Sequence, residues 1–230
     1  MKVDLHVHTI CSKILFTNKW ARFFEVKDCY SIPEEVYKIA KKRGMDLVAI
    51  TDHNEIACAL ELSKKYEDVI VGAEYTVKAS KKGHLVDVIV LDLDEQLHKE
   101  FLKLRKIGLK EFTKFAKKEG KPYFLCHIGY VVNPETKLEP KLIDEWLSYF
   151  DVIETINGSM QRENEFAQML AYINNKIGVA GSDAHTLRRI GLTYTFSNAK
   201  NKEEFLENII KGKVTVSYTH LRAHETSLHL

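Results

Sequence analysis

Short apolar runs of strand character punctuate the chain: "KVDLHV", "MDLVAIT", "DVIVGAEYT", "HLVDVIVL", "KPYFLCH", "DVIETIN" and "IGVAGSD". Between most of them, apolar residues recur at helical spacing. "SIPEEVYKIAKKRG" carries Val36, Ile39 and Ala40 on one face, with Ser31 and Glu34 placed as a capping box and Gly44 as a stop. "EQLHKEFLKLRKIGLKEFTKFAKKEG" reads as one long helix striped by Leu97, Phe101, Leu104, Leu109, Phe112 and Phe115 and ended by Gly120. "KLIDEWLSYF", "RENEFAQMLAYINNK" and "KEEFLENIIKG" are shorter versions of the same pattern. Strands that are apolar almost throughout, alternating with helices, predict a parallel sheet covered on its faces. Seven such units point to an α/β fold closed into a barrel rather than a small open sheet.

Polar residues then gather where the runs end. His6 and His8 close the first run, Asp52 and His53 the second, Glu74 the third and His127 the fifth; Asp183 and His185 follow the seventh. His84 opens the fourth run, so it joins the others only if that strand bulges or starts later. His98 reads as solvated helix surface. In a parallel barrel the C-terminal strand ends share one face, where active sites are built. Residues i and i+2 of a strand point the same way, so His6 and His8 can grip one ion. Taken singly, each histidine is explained as well by an ordinary hydrogen bond; the cluster is not. His6, His8, Glu74 and Asp183 make one complete ligand set. Glu74, acting as a bridge, would share a second ion with His84 and His127. Two divalent ions about 3.5–4 Å apart with hydroxide between them suit phosphate-ester hydrolysis. Asp4 and Asp52 are placed either to accept an imidazole N–H behind the ligands or to cap turns. Glu154 in "VIETING" reads as a partly exposed carboxylate without a partner.

Composition narrows the class. The 230 residues fit one domain, and a net charge of +2 argues against nucleic-acid or membrane partners. The four cysteines (Cys11, Cys29, Cys58 and Cys126) lack a CxxC pair, which speaks against thiolate zinc or a disulfide framework and for a reducing, cytoplasmic setting. No apolar run reaches membrane-spanning length, and the first strand leaves no room for a signal peptide. The end, "SYTHLRAHETSLHL", has no apolar period and holds His220, His224 and His229. It looks like translated adapter sequence, so residues 216–230 are read as a non-native or disordered tail and its histidines are set aside.

"DLHVHT", "ITDHN", "GAEYT", "KGHLVDVIVL", "FLCHIGY" and "AGSDAHT" resemble, in order, the motifs of the polymerase and histidinol phosphatase (PHP) family, in its small stand-alone phosphoesterase form. The resemblance runs from residue 2 to about 215 and implies a distorted seven-stranded (β/α) barrel holding two or three divalent ions (zinc, manganese or iron). By position, His6, His8, Glu74 and Asp183 would hold the first ion, Glu74, His84 and His127 the second, and His53 and His185 a third. Two positions depart from the family pattern. Lys13 stands where many members carry an aspartate ligand, so Asp28 completes the third site or that ion is absent; Ile128 stands where proline commonly follows the histidine.

The expected activity is metal-dependent hydrolysis of a small phosphomonoester through the bridging hydroxide. His53 or His185 would donate the proton to the leaving oxygen, and Arg188 or Arg189 would bind phosphate, with Arg162 a weaker candidate. Rival readings are a PHP-type exonuclease on nucleic acid, an amidohydrolase-type barrel and a non-catalytic metal-binding module. An exonuclease should show a basic, aromatic-lined groove, and the balanced charge gives none. The loops 11–31, with Trp20, Phe23, Phe24 and Tyr30, and 129–140 would shape the pocket.

Overall fold

The computed structural model describes residues 1–13, 28–128 and 140–218. Among these residues, nine strands form one sheet in the order β7-β6-β5-β4-β3-β2-β1-β8-β9. They are β1 (Lys2–Asp4), β2 (Leu47–Ile50), β3 (Val69–Lys78), β4 (Leu85–Leu91), β5 (Tyr123–Leu125), β6 (Val152–Asn157), β7 (Ile177–Gly181), β8 (Thr193–Phe196) and β9 (Thr215–Tyr218). The helices are α1 (Pro33–Lys42), α2 (Ala57–Ser63), α3 (Glu95–Ile107), α4 (Leu109–Lys118), α5 (Pro140–Leu147), α6 (Asn164–Ile173) and α7 (Lys202–Ile210). None of them is long and apolar enough to cross a membrane.

The first and seventh strands meet beyond their ends. The His8 N–H donates to the Ala184 carbonyl at 3.1 Å, and Val7 bridges Ala184 in parallel. Asp4 staples this seam by accepting the N–H groups of Ser182 at 2.8 Å and Gly191 at 2.7 Å. The sheet is thereby nearly closed into a barrel. Val3, Leu5, Leu47, Ala49, Ile70, Ile89, Leu91, Phe124, Cys126, Val152 and Val179 form its inner core, and Phe205, Leu206 and Ile209 of α7 pack with them. Two outer cores lie between the strands and the helices. One joins β3–β6 to α3–α6, and the other joins β2, β3 and Val7 to α1 and α2.

All seven apolar runs form strands, but the sheet is not parallel throughout. β4 runs antiparallel to both β3 and β5. Its start therefore lies beside the end of β3, on the face where the other strands finish, and His84 needs no bulge to reach that end of the barrel. β8 and β9, short and without a clear apolar run, add to the seven expected strands; Thr193 pairs with Tyr218, so strand pairing continues past residue 215. The expected long helix is two, α3 and α4, separated at Gly108, whose φ of 158° takes the backbone out of the helix. Ser31 makes no cap: Ile32 holds the N-cap position of α1 without a side-chain bond. His98 is buried, not solvated, with Nδ1 2.7 Å from the Tyr75 hydroxyl.

Cys11 and Cys58 form a disulfide across 47 residues, against the expectation of none. Their pairing depends on the loop after β1 folding onto α2, which cysteine spacing does not encode. The bridge removes the cysteine argument for a reducing compartment. The tail histidines, residues 14–27 of the first loop and residues 129–139 of the second lie outside the described residues.

Candidate metal centre

The strand ends deliver a buried cluster of nitrogen and carboxylate donors. His6 Nε2 and His8 Nε2 lie 3.1 Å apart. Glu74 Oε2 is 3.2 Å from the first and 3.3 Å from the second, and Asp183 Oδ1 is 3.5 and 3.4 Å away. All four residues are buried. Gly181 permits this approach, since a Cβ there would fall 2.3 Å from the Cβ of His6. His127 and Asp183 leave their strands with φ of 27° and 51°, left-handed values unusual for these residues. Backbone strain is thus concentrated at the cluster.

Glu74 is the hub. Its Oε1 lies 3.0 Å from His127 Nε2, and its Oε2 lies 3.0 Å from His53 Nδ1 as well as near His6 and His8. His53 Nδ1 nevertheless makes no hydrogen bond, because the atoms converge without donor geometry. Four imidazoles around one carboxylate oxygen pair, with few donors to share, fit a divalent cation better than a proton network.

Electrostatics follow the packing. Burial works against the charge on His6, but Asp183, Glu74 and Glu154 override it and hold the imidazole well above its usual pKa. Burial likewise opposes the charge on His8 and His127, and hydrogen bonds with Asp183 and Glu74 raise His8 to about 10 and one with Glu74 raises His127 to about 9. Burial dominates at His53, which drops to about 4. For Glu74 and Asp183, burial is outweighed by the surrounding imidazoles, so both stay ionised well below the carboxylate range.

Beside this pocket, His8, Asp28, His53 and His185 bring ligand atoms within 4.8 Å of one another. Asp28 Oδ2 is 2.9 Å from His185 Nε2, 3.8 Å from His53 Nε2 and accepts the Ser12 hydroxyl at 3.0 Å. Lys13 turns away and pairs with Glu55. Asp28 is thus the carboxylate beside His53 and His185, and imidazole contacts hold it below the usual aspartate pKa against the pull of burial.

Several side chains sit elsewhere than expected. Glu154 is buried rather than exposed: Oε1 is 3.0 Å from His6 Nδ1, and Oε2 accepts from the His127 N–H at 3.1 Å and Asn157 Nδ2 at 2.9 Å. It orients one imidazole and fixes the backbone of another. The sequence does carry a signal for it: like Glu74, it is an acid inside a strand of otherwise apolar character. Asp4 and Asp52 reach no imidazole ring. Asp4 closes the barrel seam, and Asp52 holds Thr9 through its N–H and its hydroxyl, the latter at 2.6 Å. His84 is buried, with Nδ1 2.7 Å from the Ser80 hydroxyl and Nε2 without a hydrogen-bond partner. Arg162, Arg188 and Arg189 are exposed, and Arg189 donates from Nη1 to the Gly158 carbonyl at 2.9 Å, near the rim.

Residues 161–214 match the family model described as PHP-associated. Over 81 residues the chain is 41% identical to an uncharacterized protein of Methanocaldococcus jannaschii, a match covering 32% of this chain and 43% of that protein. The chain therefore aligns with less than half of that curated relative. Among solved structures, a two-domain protein from Bacteroides vulgatus containing a predicted PHP-like metal-dependent phosphoesterase superposes with a TM-score of 0.67 at 18% identity, over 95% of this chain and 64% of that one. The lesion-specific endonuclease PfuEndoQ from Pyrococcus furiosus gives a TM-score of 0.59 at 17% identity, over 94% and 57%. Fold and geometry together define an α/β barrel with clustered histidines and carboxylates that could hold metal ions. The chain is thus similar in fold to PHP-like proteins and carries a PHP-associated segment over residues 161–214.

Proposed function

We propose that this chain is a metal-dependent phosphoesterase acting on small phosphomonoesters. The observation that carries the reading is the convergence of the buried His6, His8, Glu74 and Asp183 side chains at 3.1–3.5 Å. These four would hold a first divalent ion, Glu74 and His127 would reach a second, and His8, Asp28, His53 and His185 would form a further position. Bound there, such ions neutralise phosphoryl oxygens and make water a better nucleophile.

The protein's own groups supply the rest. Glu154 fixes His6 through Nδ1, so Nε2 points into the pocket. Exposure separates the two candidate proton donors: the side chain of His185 is 33% exposed and that of His53 only 10%. Where that further position holds no ion, His185 is the imidazole a leaving group at the mouth can meet, with Asp28 at its Nε2. Arg189, anchored at Gly158 beside Ser159, is better fixed to orient a phosphate than Arg188.

The test is phosphate release from a panel of sugar phosphates, nucleotides and a single-stranded oligonucleotide, with manganese or zinc added, comparing wild type with Glu74→Gln. Metal-dependent release from phosphomonoesters that disappears in the variant supports the reading. Cleavage of the oligonucleotide alone would move the assignment to a nuclease, and absence of both release and bound metal would end it.

A further inference from the structure

The two faces of β4 separate its residues. Val86, Val88 and Val90 share the outer core with Trp146, whereas Ile89 and Leu91 belong to the barrel interior. His84 falls in step with the outer set: its ring lies 5.9 Å from that of Trp146, its Nδ1 is tied to Ser80, and its Nε2, like Asp87 Oδ1, is buried without a hydrogen-bond partner. Asp87 falls in step with the inner set. It pairs across β3 with Thr76, two residues beyond Glu74, while Glu74 pairs with Ile89. On its other side the Asp87 carbonyl accepts the N–H of Cys126, the neighbour of His127. The strands that deliver Glu74 and His127 thus flank Asp87.

Its side chain is 6% exposed, and Oδ1 is buried without a hydrogen-bond partner. Thr76 binds the carboxylate, and after burial itself Glu74 is the largest influence raising its pKa, to about 6; His127 and His6 act the other way. Arg105, on α3, also bears on Asp87, with its own Nη1 committed to the Thr76 carbonyl at 2.9 Å. A second buried carboxylate beside Glu74 is unfavourable by itself, and a divalent cation between the two reverses the sign of that interaction.

We propose that Asp87, with Glu74 and His127, holds the second divalent ion, and that His84 is a strut of the turn before β4 rather than a ligand. This assignment rests on the metal-centre reading above. A set with two carboxylates and one imidazole is harder than one with two imidazoles, and suits manganese better than zinc.

Manganese titration of the metal-stripped full chain, followed by calorimetry and electron paramagnetic resonance, tests it on wild type, Asp87→Asn and His84→Gln. Asparagine keeps the shape of the carboxyl group and a contact for Thr76. The expected result is a spin-coupled pair in wild type, and in Asp87→Asn an unchanged first ion with the second weakened at least about tenfold, the scale of losing one ligand-shell partner. His84→Gln should keep both ions. Wild-type affinity for both ions in Asp87→Asn, or loss of the pair in His84→Gln, overturns the assignment. Fewer than two ions in wild type overturns the metal-centre reading and the assignment with it. If Asp87→Asn does not fold, a manganese-soaked crystal of wild type decides, by whether the second ion lies within bonding distance of Asp87.

Discussion

The first pocket and the cluster around Asp28 share His8 but are built differently. His6, His127 and Asp183 follow strand ends and Glu74 sits within β3, all positions that the barrel fixes on both sides, and Glu154 braces them from β6. The second cluster depends on segments outside the sheet. Asp28 enters from the long first loop, and Ser12 joins Asp28 to His8 and to the His53 N–H. Cys11, next to Ser12, is tied to α2 through Cys58. A site carried by strands keeps its geometry through packing, whereas a site carried by loops needs crosslinks. The barrel should therefore set whether the chain binds metal, and the loop cluster should set how well substrate is turned over.

The largest expected effect comes from breaking the hub. Glu74→Gln removes the charge that both ligand sets share, and kcat should fall by at least about a thousandfold, equivalent to roughly 4 kcal/mol of transition-state stabilisation. Elemental analysis should find the bound ions lost as well. Retained ions with lost activity would instead limit Glu74 to a role in the chemistry. Glu154→Gln comes next. It leaves every proposed ligand in place but weakens the hold on His6, so affinity for the first ion should drop about 10- to 100-fold. Calorimetric titration with manganese reads this directly, and an unchanged affinity would show that strand packing alone orients His6.

The same contrast explains what the sequence discloses. Strand ends are marked by where apolar runs stop, so the pattern of the chain alone places His6, His8, His127 and Asp183 just past strand ends. Glu74, read as closing the third run, lies inside β3, which continues to Lys78. The pattern does not give the direction of β4 either, because alternation reads the same in both directions. That ambiguity makes His84 look misplaced and hides Asp87, an acid inside a run that reads as apolar. Glu154 looks unpartnered because His6 lies 148 residues away, and pairings of that range leave no local trace. The disulfide is invisible for the same reason. Gly108 is plain in the sequence, but the apolar stripe continues across it from Leu104 to Leu109, and periodicity outweighs the break.

A smaller effect should follow at the loop cluster. Asp28→Asn removes the anion facing His185 and His53 but touches none of the four atoms of the first pocket. Turnover should fall about tenfold, in the range of one lost charge-assisted hydrogen bond, with the first ion bound as in wild type. Initial rates beside manganese affinity separate the two. A parallel loss of that ion would mean the clusters form one inseparable site.

The smallest effect on activity, and the sharpest on the comparison, should come from Cys58→Ser. Opening a bridge that spans 47 residues costs up to about 4 kcal/mol by chain entropy, so the thermal midpoint should fall well below that of wild type. The barrel seam, held by Asp4 and the Ala184 contacts, does not depend on it. At temperatures where the variant remains folded, affinity for the first ion should be unchanged and turnover reduced by less than Asp28→Asn reduces it, since the bridge acts only by holding Cys11, and with it Ser12, against α2. A Cys58→Ser protein that cannot take up the first ion would show that the loop and the barrel stand or fall together.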